Sequence, residues 1–155
     1  MRKSMLLAAL VVVACSKEEA PVIDSAATAA PPPAAPAALT AADVSGTWNG
    51  TSKEEGDTTV NRFTVTGAPG DSVGKFIAEG SKDTVTFTRR LDADSMMVTS
   101  VAYTDPSLPK GSPPVMFKAV GRLKDGKLVG TSMLVVASKP DSVLGRSTWE
   151  ATRAP

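Results

Sequence analysis

The sequence predicts an all-β domain, a small antiparallel meander barrel of about eight strands behind a disordered Ala/Pro-rich linker, with a β-sandwich as the alternative. Three observations predict it. All 12 Gly and all seven aromatic residues of the 155-residue chain lie in residues 44–155. That region is rich in Thr and Val, whose β-branched side chains suit strands, and no long stretch of it has the apolar spacing of a helix. Turn-forming residues interrupt it roughly every 8–15 residues, the rhythm of short strands joined by tight turns.

In chain order the expected strands are 46–52, 58–66, 73–79, 84–91, 96–103, 115–123, 127–137 and 144–153. Thr84-Val85-Thr86-Phe87-Thr88 alternates polar and apolar, which turns Val85 and Phe87 inward. Phe63 and Val65 alternate in the same way between Thr64 and Thr66. Asp125-Gly126 marks the tightest hairpin, because both residues accept positive φ. Leu91-Asp92-Ala93-Asp94-Ser95-Met96 reads as a second tight turn, Ala68-Pro69-Gly70-Asp71 as a third, and residues 53–57 as a charged one. Short connections imply that each strand pairs with the next; closing the first on the last removes exposed edges. About 110 residues suffice for one core.

Residues 15–43 read as a tether. From Ala20 to Ala42 there are 11 Ala and five Pro in 23 residues, including Pro31-Pro32-Pro33. Proline blocks the interior helical hydrogen bond and biases its predecessor to extended geometry, so the segment favours polyproline II at about 3.1 Å per residue.

Ahead of the tether, Met1-Arg2-Lys3-Ser4 is a short positive segment, and Met5 to Val13 is an unbroken apolar run. That run is too short to cross about 30 Å of hydrocarbon, which needs about 20 residues. It suits the hydrophobic region of a secretory signal. Val12-Val13-Ala14-Cys15 then resembles the lipobox of bacterial lipoproteins, with Val12 where that family usually has Leu. The resemblance implies that residues 1–14 are a lipoprotein signal peptide and that Cys15 carries a diacylglyceryl group on its thiol. It also implies cleavage before Cys15 and acylation of the new amino group. Two or more acyl chains anchor stably where one does not. Ser16 stands where that family has Asp for inner-membrane retention, so the resemblance favours the periplasmic face of the outer membrane.

Composition removes other classes. The chain has no His and one Cys. It therefore offers no Ser-His-Asp or Cys-His apparatus, no His metal ligand, no Cys-cluster zinc site and no intramolecular disulfide. Its formal charge of +1 gives no electrostatic case for nucleic acid. Cleavage removes Arg2 and Lys3, leaving 15 basic side chains of the 17 against 16 acidic ones, so no polybasic patch assists the lipid. No phosphate loop, dinucleotide fingerprint or nucleophile elbow occurs. The expectation is a protein that is not an enzyme and takes no cofactor or metal.

Within the domain, residues 44–155, Val44-Ser45-Gly46-Thr47-Trp48 opens the first strand. Gly46-x-Trp48 there resembles the opening motif of the calycins, the lipocalin and avidin-like barrels. The resemblance implies that Trp48 packs across one end of the barrel, that Gly46 allows a close approach, and that a basic residue of the last strand, Arg153, lies over Trp48. If the first and last strands pair, Trp48 and Trp149 are expected near each other. The later Trp residues of a biotin site are missing, so biotin is not carried over.

Residues 104–114 form the longest connection, stiffened by four Pro, and loops carry function more often than scaffolds. Trp48, Tyr103, Leu108 and Trp149 are the candidate ligand-binding residues. Arg89-Arg90 with Asp92 and Asp94 crowd one hairpin end, as a solvated turn or a small ion site. The function expected is that of an envelope lipoprotein held to the membrane by its lipid, with a lipocalin-like barrel binding a small or apolar ligand. The alternative is an accessory interaction module with a filled barrel that contacts an envelope protein.

Overall fold

The computed structural model describes residues 38–155; the signal segment, Cys15 and most of the tether lie outside them. The strands are β1 (Gly46–Glu54), β2 (Val60–Gly67), β3 (Val73–Ala78), β4 (Val85–Asp92), β5 (Ser95–Ser100), β6 (Val115–Lys124), β7 (Lys127–Val136) and β8 (Lys139–Arg153). Each pairs antiparallel with its successor, and β8 pairs antiparallel with β1, so the sheet closes into a barrel. The meander barrel is therefore the architecture, and the sandwich is not.

Local chemistry sets the connections. Asp125 (φ 52°) and Gly126 (φ 76°) take the left-handed conformation between β6 and β7, as a two-residue hairpin turn requires. Ala93 (φ 51°) does the same between β4 and β5 without glycine's freedom. Gly70 (φ 81°) follows Pro69, and the Asp71 amide donates to the Ala68 carbonyl at 3.3 Å, the pattern of a type II turn.

Two strands differ from expectation by more than two residues at an end. β5 ends at Ser100, and Tyr103 meets Val115 only through an isolated bridge. β8 begins five residues early, at Lys139, across a two-residue turn from β7. The register shifts between Val135 and Val136, which pair with Val143 and Lys139, so Pro140 falls inside the bulge and interrupts no ladder position.

Alternation fills the bore. Val44, Trp48, Phe87, Met96, Val98, Leu128 and Ala151 form the buried cluster, with Phe63, Phe76, Phe117 and Trp149 packed on it. Large rings lie on glycines of neighbouring strands. A Cβ at Gly121 would stand 2.5 Å from Cη2 of Trp149, and one at Gly130 2.7 Å from its Cζ2. Gly50 receives Phe63 and Gly74 receives Phe87 in the same way. Pairing small with large is how a small barrel fills itself with side chains.

Candidate functional site

One end of the barrel is closed by a strap, residues 39–45. The Leu39 amide donates to the Ala93 carbonyl at 2.8 Å, and Leu39 packs on the core. The packed chain thus begins about five residues before Val44. Thr40 donates to the Asp43 carboxylate from its hydroxyl at 2.5 Å and its amide at 2.8 Å. These bonds hold the Asp43 carboxyl below its ordinary range.

Two arginines bind the strap, Arg89 from inside the barrel and Arg153 from its exposed end. Arg89, 8% exposed, donates from Nε to the Asp71 carbonyl (2.9 Å), from Nη1 to Val44 (2.8 Å) and from Nη2 to Ala68 (2.9 Å). Burial lowers the affinity of its guanidinium for its proton, and the nearby Asp71 charge acts the other way. Arg153 donates from Nη1 to the Ser45 carbonyl at 2.6 Å and from Nη2 to Asp43 at 2.9 Å. Its guanidinium carbon lies 4.7 Å from the centre of the Trp48 ring, an arrangement worth about 0.5–1 kcal/mol at an exposed site. Gly46, at φ 96°, lies beneath it, and a Cβ there would be 3.0 Å from Arg153 Nη1.

The hairpin-end cluster dissolves. Arg89 and Arg90 are neighbours in a strand and face opposite sides of the sheet. Arg89 enters the barrel, while Arg90 stays outside, 3.7 Å from the Met97 sulfur and 4.0 Å from Asp92. Among the described residues no group of three or more carboxylates or other ligands is placed to hold a metal ion.

The four candidate ligand residues are not brought together. Trp48, 2% exposed, lies at the strap end, its Nε1 donating to the Ser45 carbonyl at 3.3 Å. Trp48 pairs with Arg153 and Trp149 with Ser52, so the two Trp are four positions apart along β8, about 13 Å. Their expected proximity fails because it assumed that paired strands put their Trp in register. Trp149 sits mid-barrel, and its buried Nε1 has no hydrogen-bond partner.

Tyr103 and Leu108 lie at the opposite end, the mouth. Tyr103 exchanges main-chain hydrogen bonds with Val115 (2.9 and 2.8 Å) and packs edge-on to Phe117, ring centres 6.4 Å apart. Phe117 continues to Phe76 (5.3 Å) and Phe76 to Phe63 (5.4 Å). Burial pushes the Tyr103 hydroxyl up to about 12, the Asp105 charge adding to it. Leu108 belongs to the Pro-rich loop, which encloses its own concavity of about 360 Å³ between Thr104 and Pro113.

A larger concavity, about 480 Å³, lies on the outside of β8, β1, β2 and β3, lined by Asn49, Thr51, Arg62, Thr64 and Glu150 among others. No motif in the sequence marks this groove; its lining mixes polar outward residues with apolar ones such as Ile77. No protein-family model matches the chain, nor does any curated protein or solved structure. What the fold defines is a small, closed, antiparallel meander barrel.

Proposed function

We propose that this chain is a lipid-anchored protein of the bacterial envelope, cleaved and acylated at Cys15, whose barrel acts through its outer surface as an accessory module. The anchor rests on the order of positive segment, apolar run and Val12-Val13-Ala14-Cys15; Ser16 favours the outer membrane. The observation that supports the role of the barrel is the seating of Phe63, Phe87 and Trp149 on Gly50, Gly74, Gly121 and Gly130. Those rings take the space an interior ligand would need, and both concavities described above open outward. The role is one of contact, not catalysis.

Photocrosslinkers placed in cells at Thr64, in the outer groove, and at Leu108 test this reading. One specific adduct from either position is expected, and diffuse ladders from both would overturn it. The anchor has its own test. Cys15→Ser should abolish fatty-acid labelling and leave uncut precursor, whereas labelling that persists refutes the assignment.

A second reading, a small apolar ligand seated at the mouth, is favoured by the unpartnered Trp149 Nε1 and the half-buried Phe76 and Phe117. Gentle extraction followed by mass spectrometry should then find a bound molecule carrying a hydrogen-bond acceptor. Empty protein in repeated preparations sinks this reading.

A further inference from the structure

The charges of the barrel are divided by region. Residues 38–114 carry seven Lys or Arg against ten Asp or Glu, whereas residues 115–153 carry seven against three. The near-neutral total therefore conceals an acidic half and a basic half.

The basic half is organised by strand register. Lys118, Val120 and Arg122 alternate with inward residues on β6 and so share its outer face. Val120 pairs with Met97 of β5, and Met97 in turn with Arg90 of β4. Lys118 pairs with Met133 of β7, and Met133 with Arg146 of β8. The result is an outer surface on which cations surround Met97, Val120 and Met133. Val120 is 49% exposed.

Of these cations Arg90 is paired and the other three are unmatched. The ion pairs among the described residues are Arg62–Glu79, Arg90–Asp92 and Lys127–Glu150. Lys118, Arg122 and Arg146 have no carboxylate within salt-bridge distance. A solvated surface normally intersperses both signs. Here three cations frame a flexible apolar centre, and long basic side chains can lay their stems along apolar surface while the charged head reaches outward.

We propose that this face docks on an anionic phospholipid surface, its cations meeting headgroup phosphates and its Met and Val side chains entering the headgroup layer. The occupant follows from charge complementarity and from the chain outside the described residues. The inference rests on the reading of that chain as a lipid anchor. The 23 residues between Cys15 and the strap, 16–38, can span at most about 80 Å when fully extended, so the anchored domain stays within reach of the membrane. The lipid confers residence, and the basic face sets how the barrel lies. Each basic residue near an anionic membrane adds attraction that fades within a Debye length.

The test compares the full chain with two triple variants of equal net charge. In one, Lys118, Arg122 and Arg146 become Gln; in the other, Lys53, Lys75 and Lys82 of the acidic half become Gln. Each protein is mixed with vesicles of phosphatidylcholine alone or with 30% phosphatidylglycerol, and energy transfer from tryptophan to dansyl-labelled headgroups is read. Circular dichroism confirms that each protein is folded. The expected result is transfer that rises with phosphatidylglycerol and falls with salt. The basic-face variant should need at least about tenfold more anionic lipid to reach half its signal, and the acidic-half variant should match the parent.

Equal loss in both variants, or no loss in either, overturns the proposal. No loss in the basic-face variant would also leave that face to an acidic protein. Fatty-acid labelling at Cys15 separates the two readings. If labelling is absent but charge-dependent docking persists, the anchor fails and the face stands. If labelling is present and transfer ignores the three cations, the anchor stands and the face fails.

Discussion

The two ends of the barrel are closed by opposite chemistry. At the strap end, Arg89 and Arg153 bind main-chain oxygens, and each donates to at least two carbonyls of separate residues. At the mouth, rings meet rings, and the Pro-rich loop is held by main-chain bonds such as Ala137 to Pro114 at 2.9 Å. A buried guanidinium bound to carbonyls depends on direction, so its loss leaves several acceptors unpaired. Aromatic contact is tolerant and leaves its members partly exposed. The strap end is thus built to hold, and the mouth retains surface for contact.

The largest expected effect breaks the strap end. Arg89→Met removes three donors and should cost about 3–5 kcal/mol, read from urea unfolding followed by tryptophan fluorescence. A loss under about 1 kcal/mol would mean that the strap end is held without Arg89.

Next comes the mouth in alkali. Tyr103 is the only tyrosine in the chain, so tyrosinate absorbance reports it alone. Its folded value of about 12 stands above the ordinary 10. Between those values the unfolded chain gives up the proton and the folded chain keeps it. Stability is therefore full below pH 10 and falls as pH rises toward 12, by at most about 2 kcal/mol once the partial exposure of Tyr103 is discounted. Tyr103→Phe should flatten that fall, and tyrosinate appearing near pH 10 in the native protein would refute it.

Smaller effects sharpen the contrast. Arg153→Met should cost about 1–2 kcal/mol, less than Arg89→Met because Arg153 is exposed, and should shift Trp48 emission. Asp105→Ala removes the acceptor of the Ser107 amide (2.9 Å) and hydroxyl (2.6 Å) in the mouth loop. It should cost under about 1 kcal/mol and bring the Tyr103 hydroxyl down slightly, visible in the same absorbance titration.

Much of this fold was legible in the residues. Asp125-Gly126 and Pro69-Gly70 declare their turns through φ requirements that few other residues meet, and Val85 and Phe87 declare the inward face of β4. Those signals are local. What the sequence hid depends on register and tilt, which no local pattern encodes. Trp48 and Trp149 belong to paired strands yet lie at different levels of the bore, and β8 reaches back to Lys139 through a bulge that accommodates Pro140. Arg89 is an intermediate case. The alternation that turns Val85 and Phe87 inward continues to Arg89, but an arginine at an inward position suggests an exposed strand end until its carbonyl partners are seen. The outer groove and the basic face were less visible still, since each gathers residues from strands far apart in sequence.

The closure of β8 on β1 has a kinetic side. Seven of the eight pairings join strands that follow one another, so each can form as a local hairpin. The eighth joins residues about 100 apart, as Trp48 to Arg153. The ring is therefore a row of short-range steps with one long-range clasp, and the clasp forms only once the last strand exists. Until then β1 and β7 carry open edges, the state most exposed to mispairing. That state lasts at least until β8 has been made, so the residues through Arg153 decide when the barrel ceases to be adhesive to its own kind.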